Sequence, residues 1–348
     1  MKRVTIKDVA VMAGVSPATV SRVVSGDGRA SQEVAGKVRA AADQLGYRPS
    51  VMARSLTQSS TQLIAFVMGS LQNPFDAALV EALSAGFYRT GKRLLIVPAD
   101  HGDNDSGPMT ALDYQTDGVV VAAGHISQSA SERLAGLGIP VILFGRILEA
   151  PGVDCIVADN FEGARRAGRL IARSGAKRVT TVRHAWDTFS DDERVAGLCS
   201  ALKGRARVEV VKISAGNGFG DALMLLSGPE RPDAVFCVND VLAAGVLDAA
   251  AAVGLRVPED LSVIGFDDIP MASSPLYGLT TLRLPVDEVA GWIIERLLRR
   301  LEEPGLAVEM HRVPTPLIVR GSTRRVLSAT VPVHNQAEGG GSPGRAGK

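Results

Sequence analysis

The stretch Val4-Thr5-Ile6-Lys7-Asp8-Val9-Ala10-Val11-Met12-Ala13-Gly14-Val15-Ser16-Pro17-Ala18-Thr19-Val20-Ser21-Arg22-Val23-Val24 decides how this chain is read. Thr5 is a good N-cap and Asp8 falls in the first turn of a helix predicted from Ile6 to about Met12. Gly14 ends it. Ser16 caps a second helix, and Pro17 takes the first helical position, where its missing N–H costs nothing. Two helices joined this tightly need a small residue where they touch, which is Ala10. They also need a residue that tolerates positive φ in the turn, which is Gly14. Val15, Val20 and Val23 then bury the second helix against the first. Its other face keeps Pro17, Ala18, Thr19, Ser21 and Arg22, which are small or polar and able to approach base edges and phosphates. The competing reading is an ordinary helical hairpin on a larger domain.

A third helix is predicted from about Gln32 to Leu45, capped by Ser31 and stopped at Gly46. Tyr47-Arg48-Pro49 reads as an extended connector, Ser50 to Leu56 as one or two helical turns, and Thr57 to Gln62 as a polar linker. Residues 1–60 hold nine Lys/Arg against four Asp/Glu, whereas the remainder holds 29 against 33. A compact basic head on a mildly acidic body suits a polyanion-binding domain joined to a neutral partner domain. Together with the polar face and the terminal position, that asymmetry favours a helix-turn-helix over a plain hairpin.

From Leu63 the pattern changes. Apolar runs at Leu63–Met68, Arg93–Val97, Gly118–Ala122, Pro140–Phe144, Val179–Val182, Val208–Ile213, Ala234–Val238 and Leu261–Phe266 alternate with helix-length amphipathic stretches. Such alternation predicts parallel sheets covered by helices, in two α/β subdomains with a cleft between them. Val286, Val289, Ile293, Leu297 and Leu301 form one helical stripe. The segment from Ser328, with Gly339-Gly340-Gly341-Ser342-Pro343, reads as disordered. The 348 residues exceed one compact core.

Several function classes are disfavoured. No apolar run approaches the ~20 residues needed to span a bilayer. The N-terminal charges are not followed by an apolar stretch, so no secretory signal is expected. Cys155, Cys199 and Cys237 are far apart, which suits reduced thiols and a cytoplasmic location. No Gly-x-Gly-x-x-Gly follows a strand, and neither a phosphate-binding Gly-Lys-Ser/Thr loop nor a Gly-x-Ser-x-Gly elbow is present. His101, His125, His184, His311 and His334 lack metal-ligand spacing. Neither an enzyme nor a cofactor or metal is therefore expected. A transport solute-binding protein would fit the core but not the N-terminal headpiece.

Thr5 to Ala10 with Val20-Ser21-Arg22-Val23 resembles the headpiece of the lac repressor family, and Gly46-Tyr47-Arg48-Pro49 followed by Ala53-Arg54-Ser55-Leu56 resembles its hinge helix. The resemblance continues through Asn73-Pro74-Phe75, Asp117-Gly118, Asp159-Asn160, Asn239-Asp240, Val263 to Asp268 and Arg320-Gly321-Ser322-Thr323, to about residue 325. It implies an all-α helix-turn-helix headpiece plus an α/β periplasmic-binding-protein-like core of two doubly wound subdomains joined by three crossings. The expected domains are a headpiece at 1–48, a hinge and linker at 49–61, an effector-binding and dimerisation core at 62–327, and a tail at 328–348. The expected partners are a pseudo-palindromic operator, a second copy of the chain, and a small effector of sugar type.

The resemblance also assigns residues. Thr5, Ser16, Pro17, Ala18, Thr19, Ser21, Arg22, Ser31 and Tyr47 form the DNA-binding set, with Ala53 and Leu56 from the hinge. Leu56 is expected to wedge into the minor groove at the operator centre, Ala53 allowing close approach; alternatively it anchors the linker on the core. Ser50 departs from the family's asparagine but still caps a helix. Effectors in such folds lie at the carboxyl ends of strands. The candidates there are Asn73, Phe75, Arg146, Asn239, Asp240 and Asp267, joined by Arg194, which matches a family arginine facing the effector. An Asp and an Arg sharing a cleft suit polyol hydroxyls, and Phe75 offers a stacking face. The alternative reading makes Asp267 and Asn239 helix caps and Arg146 an ion-pair partner. Two departures touch the pocket entrance. Pro98 to Thr116 is short, so a helix is expected to be truncated, and Asp76 stands where a second aromatic is usual.

Overall fold

A computed structural model describes residues 4–25, 30–48, 60–99, 105–122, 126–213 and 216–324. The hinge with Ala53 and Leu56 and the segment from 328 lie outside these residues. Three helices open the chain, α1 (Ile6–Ala13), α2 (Pro17–Ser25) and α3 (Gln32–Leu45). Val9, Ala10, Val20, Val38 and Ala41 form their core. Gly14 at φ 66° and Gly46 at φ 65° end α1 and α3 in the left-handed region, the conformation expected of Gly14.

The core holds β1 (Leu63–Met68), α4 (Pro74–Arg89), β2 (Arg93–Pro98), α5 (Ser106–Asp113), β3 (Gly118–Ala122), α6 (Gln128–Gly136), β4 (Val141–Phe144) and β5 (Val153–Ala158). It continues through α7 (Asn160–Arg173), β6 (Arg178–His184), α8 (Phe189–Leu202), β7 (Arg207–Ile213), α9 (Phe219–Ser227), β8 (Ala234–Cys237), α10 (Asp240–Ala252) and β9 (Ser262–Ile264). It ends with β10 (Thr281–Leu282), α11 (Val286–Glu302), β11 (Met310–Val313) and β12 (Leu317–Ile318). The N-terminal lobe carries a parallel sheet ordered β11-β5-β4-β3-β1-β2, the C-terminal lobe one ordered β7-β6-β8-β9, and β10 pairs antiparallel with β12. β3, β4 and β5 are buried along their whole length, as expected of strands covered on both faces by helices. Edge strands β2 and β7 each bury a single residue and carry charges such as Arg93, Arg207 and Lys212, which discourages pairing with other chains.

β5 and β11 were not expected as strands. Asp154 interrupts the apolar run of the first, and Met310-His311-Arg312-Val313 has a single fully buried residue. Both need the assembled sheet: β11 lies in register with β5, Met310 opposite Cys155 and Val313 opposite Ala158. The helix after Pro98 is short, with eight residues. The chain passes between the lobes three times. β5 leads into α7, which packs on α8; β10 leads into α11, which packs on α4; β11 leads into β12. No described helix is long and apolar enough to cross a membrane.

Candidate functional site

The exposed side of the headpiece carries most of the candidate DNA-facing residues. Ser16 Oγ accepts the Thr19 N–H at 3.1 Å and lies 2.9 Å from Thr19 Oγ1, so both side chains help to start α2. Pro17, Ala18 and Arg22 are exposed and Ser21 is half-buried. Asp8 Oδ2 accepts from both the backbone N–H and the hydroxyl of Thr5 at 2.7 Å, which commits Thr5 to the helix start. Ser31 Oγ accepts the Val34 N–H at 3.4 Å, and Tyr47 packs on the headpiece core. The two exposed small residues at the start of α2 leave its tip free of steric obstruction, and Arg22 supplies the cation.

The second site is a cavity of about 490 Å³ between the lobes. Of the seven effector candidates, Asn73, Phe75, Arg194, Asn239 and Asp267 line it. Asn73 and Phe75 open α4, where Asn73 Oδ1 accepts the Phe75 N–H at 3.1 Å. Phe75 stacks on Phe144, ring centroids 6.0 Å apart. Arg194 reaches the cavity from α8, and its donors are mostly committed. Nε donates to Asn160 Oδ1 at 2.8 Å, Nη1 to the Val238 carbonyl at 2.5 Å, and Nη2 lies 3.9 Å from Asp267 Oδ1. The guanidinium also lies over the Phe266 ring at 3.6 Å. Asn239 is both a wall residue and a cap, its Oδ1 accepting the Leu242 N–H at 2.9 Å.

Asp267 caps no helix. It sits at φ 111°, and its backbone bonds Leu282 and Leu284 where the strand from one lobe meets the path to the other. Burial pushes its carboxyl well above the usual carboxylate range, and Asp240 and Asp76 add to the rise while Arg194 opposes it.

Two candidates lie elsewhere. Arg146 Nη1 donates to the Ile126 carbonyl at 3.0 Å and is not part of the cavity lining. It follows the strand end as expected, but the chain turns at Gly145 (φ 82°) and its side chain lies along its own lobe. Asp240 is fully buried behind Asn239. Its carboxylate accepts the Thr281 hydroxyl at 2.6 Å and the Ile269 N–H at 2.9 Å, holding α10 to the segments that connect the lobes.

Sequence reading missed His184, Trp186 and Asp191. His184 Nδ1 lies 2.9 Å from Asp191 Oδ2, and Asn239 Nδ2 donates to His184 Nε2 at 3.2 Å. His184 stacks on Trp186 at 4.8 Å. Burial pushes the Asp191 carboxyl up, but the His184 hydrogen bond and the charges of Arg194 and Arg183 outweigh it and leave the group below its ordinary value. The signal that could have found this trio is positional. His184 ends β6 and Trp186 follows it, at the carboxyl end of a strand like the candidates that were chosen. Such a cleft suits a compact polar ligand held between aromatic faces. Among the described residues no His/Cys/Asp/Glu cluster could hold a metal ion.

Residues 5–50 match the family described as bacterial regulatory proteins, lacI family, and residues 169–323 match the periplasmic binding protein-like domain. The chain is 32% identical over 328 residues to the ribose operon repressor of Escherichia coli K12, covering 91% of this chain and 99% of that one. Its fold is similar to that of a LacI-family regulator from Enterococcus faecium with bound ribose. That match has a TM-score of 0.69 at 25% identity over 75% of this chain and 98% of the other. It also resembles in fold the lac repressor dimer bound to operator, with a TM-score of 0.80 at 24% identity over 92% and 99%. A helix-turn-helix head on a two-lobed ligand-binding core, matched along nearly its whole length to a curated repressor, makes this chain a member of the lacI family of bacterial regulatory proteins.

Proposed function

We propose that this protein is a homodimeric, cytoplasmic repressor of a carbohydrate-metabolism operon, released or recruited by a small sugar-type effector in the interlobe cleft. The observation that carries the reading is the cavity of about 490 Å³ between lobes that the chain crosses three times. A ligand there touches both lobes, so binding energy converts directly into a change of angle between them. The Phe75–Phe144 and His184–Trp186 stacks suit the apolar face of a sugar ring, while Asp267 accepts hydroxyl protons. The ribose operon repressor and the ribose-bound relative agree with this class of ligand.

One α2 helix offers few base contacts, and two headpieces ~34 Å apart on a pseudo-palindrome supply the rest. Residues 1–48 read the half-site and 49–61 form the hinge, with Ser16 to Arg22 facing bases and phosphates. Leu56 wedges the operator centre beside Ala53. Leu56→Ala then weakens operator binding far more than binding to random DNA. The test of the whole reading is selection of genomic fragments by the purified protein at fixed salt, followed by titration of sugars encoded by neighbouring uptake and catabolic genes. A recovered palindrome whose binding shifts with a sugar supports it. Fragments with no shared motif, with and without sugars, overturn it.

A further inference from the structure

We propose that the effector carries an ammonium group that pairs with Asp76, so that the cleft selects an amino sugar over its hydroxyl parent. This rests on the sugar-type reading of the cleft and names its class more narrowly.

Among the described residues, Asp76 is the one ionisable side chain that the N-terminal lobe contributes to the cavity wall. The same wall carries Met68, Phe75, Ala122 and Phe144, together with the neutral polar Ser70, Gln72 and Asn73. Among the described residues no hydrogen bond or ion pair reaches its carboxylate. Every ionisable group on the facing wall is committed to a partner. Arg194 holds Asn160, Val238 and Asp267. His184 has Asp191 on one ring nitrogen and Asn239 on the other. Among the described residues the cleft is lined by three acidic side chains, Asp76, Asp191 and Asp267, against one guanidinium and one imidazole. Among its ionisable groups the acidic outnumber the basic, and the donors beside them, such as Gln72, Asn73 and Asn217, are neutral.

A buried carboxylate with no partner is costly, and a charge partner or protonation relieves it. Asp76 lies in the first turn of α4, whose N-terminus attracts the charge, an effect of ~0.3–1 kcal/mol near a surface. Burial outweighs this and raises the carboxyl to about 6. Closure of the lobes on a ligand removes the remaining water. A neutral sugar would then satisfy the lone pairs but leave the charge uncompensated. An ammonium supplies both charge and three N–H donors. The same excess of acidic groups repels phosphorylated or carboxylated sugars. Phe75 and Phe144 on one side and Trp186 on the other still hold the ring.

The test is calorimetric titration of the full-length protein at pH 7.5 with matched pairs: D-glucosamine and D-glucose, D-galactosamine and D-galactose, D-mannosamine and D-mannose, 2-amino-2-deoxy-D-ribose and D-ribose. The N-acetyl derivatives serve as uncharged controls. The expected result is that at least one amino sugar binds tenfold or more tightly than both its parent and its N-acetyl form. Asp76→Asn brings that ratio close to one and Asp76→Glu keeps most of it, both variants first shown to melt as cooperatively as the native chain. A parent sugar that binds as tightly as its amine, or a preference that survives Asp76→Asn, overturns the inference and leaves the sugar reading standing. Binding of none of these compounds, with phosphorylated sugars or nucleobases bound instead, overturns both.

Discussion

Gly14 has open space where a Cβ would stand, yet it sits at φ 66° in the turn between α1 and α2. Gly14→Ala therefore tests backbone conformation alone. The left-handed conformation costs an L-residue ~1–2 kcal/mol, which should appear in calorimetry as an earlier headpiece transition with the core transition unmoved. Asp240 makes a different kind of residue-scale prediction. Burial raises its carboxyl to about 7 from the usual 3.8. Between those values the folded chain holds a proton that the unfolded chain has lost. Stability contributed by Asp240 is thus present at low pH and is withdrawn as pH rises towards 7. The melting temperature should fall between about pH 4 and pH 7. Asp240→Asn should flatten that fall, its amide oxygen accepting the Ile269 N–H and its amide nitrogen donating to the Thr281 hydroxyl oxygen.

At the scale of elements, α7 and α8 approach backbone to backbone. A Cβ on Gly197 would stand 2.1 Å from the Phe161 carbonyl oxygen, and one on Gly168 would stand 2.7 Å from the Ala201 Cβ. Gly197→Ala must separate the helices, at a cost of at least ~1–3 kcal/mol in denaturant unfolding. Because α8 carries Arg194 and Asp191, the same variant should also weaken ligand binding. α11 is fixed to the N-terminal sheet by charge. Asp154 on β5 accepts from Arg296 at 2.9 Å and from Arg300 Nε at 2.6 Å, all three side chains being buried. Asp154→Ala leaves two buried guanidinium groups without their carboxylate and should cost ~3–5 kcal/mol. Burial raises the Asp154 carboxyl, but Arg300 and Arg296 more than reverse this, so the group lies below its ordinary value. Its contribution is present above pH 3.8 and is lost as pH falls below that, which acid unfolding of the native chain and the variant should show.

Over the whole molecule, the two lobes share one ligand cavity and three connections, and the residues at the cavity floor are also those at the connections. Asp267 bonds through its backbone to Leu282 and Leu284, and Arg194 ties Asn160, at the first crossing, to Val238 and Asp267. A ligand that engages Asp267 therefore acts where the lobes pivot. A working switch needs ~1–3 kcal/mol of coupling between cleft and operator. Asp267→Asn should abolish the effector's influence on operator affinity while leaving effector-free operator binding near the native value, measured by fluorescence anisotropy with labelled operator. Loss of both together would point to a folding defect instead.

Local chemistry alone determined the headpiece. Thr5, Gly14, Ser16, Pro17 and Gly46 set helix ends through hydrogen bonds and torsions that reach only a few residues along the chain, and the structure places those ends within a residue of the expected positions. Period and composition likewise marked strands that are apolar throughout. β5 and β11 escaped because their strand character comes from neighbours distant in sequence: Asp154 is tolerable inside a sheet only once Arg296 and Arg300 arrive from α11. The cleft divides in the same way. Asn73, Phe75, Asn239 and Asp267 were legible because strand ends collect at one edge of a parallel sheet. Whether a side chain at such an edge faces the cavity, like His184, or turns back into its own lobe, like Arg146, depends on torsions and on partners 55 and 20 residues away, and only the tertiary structure decided it.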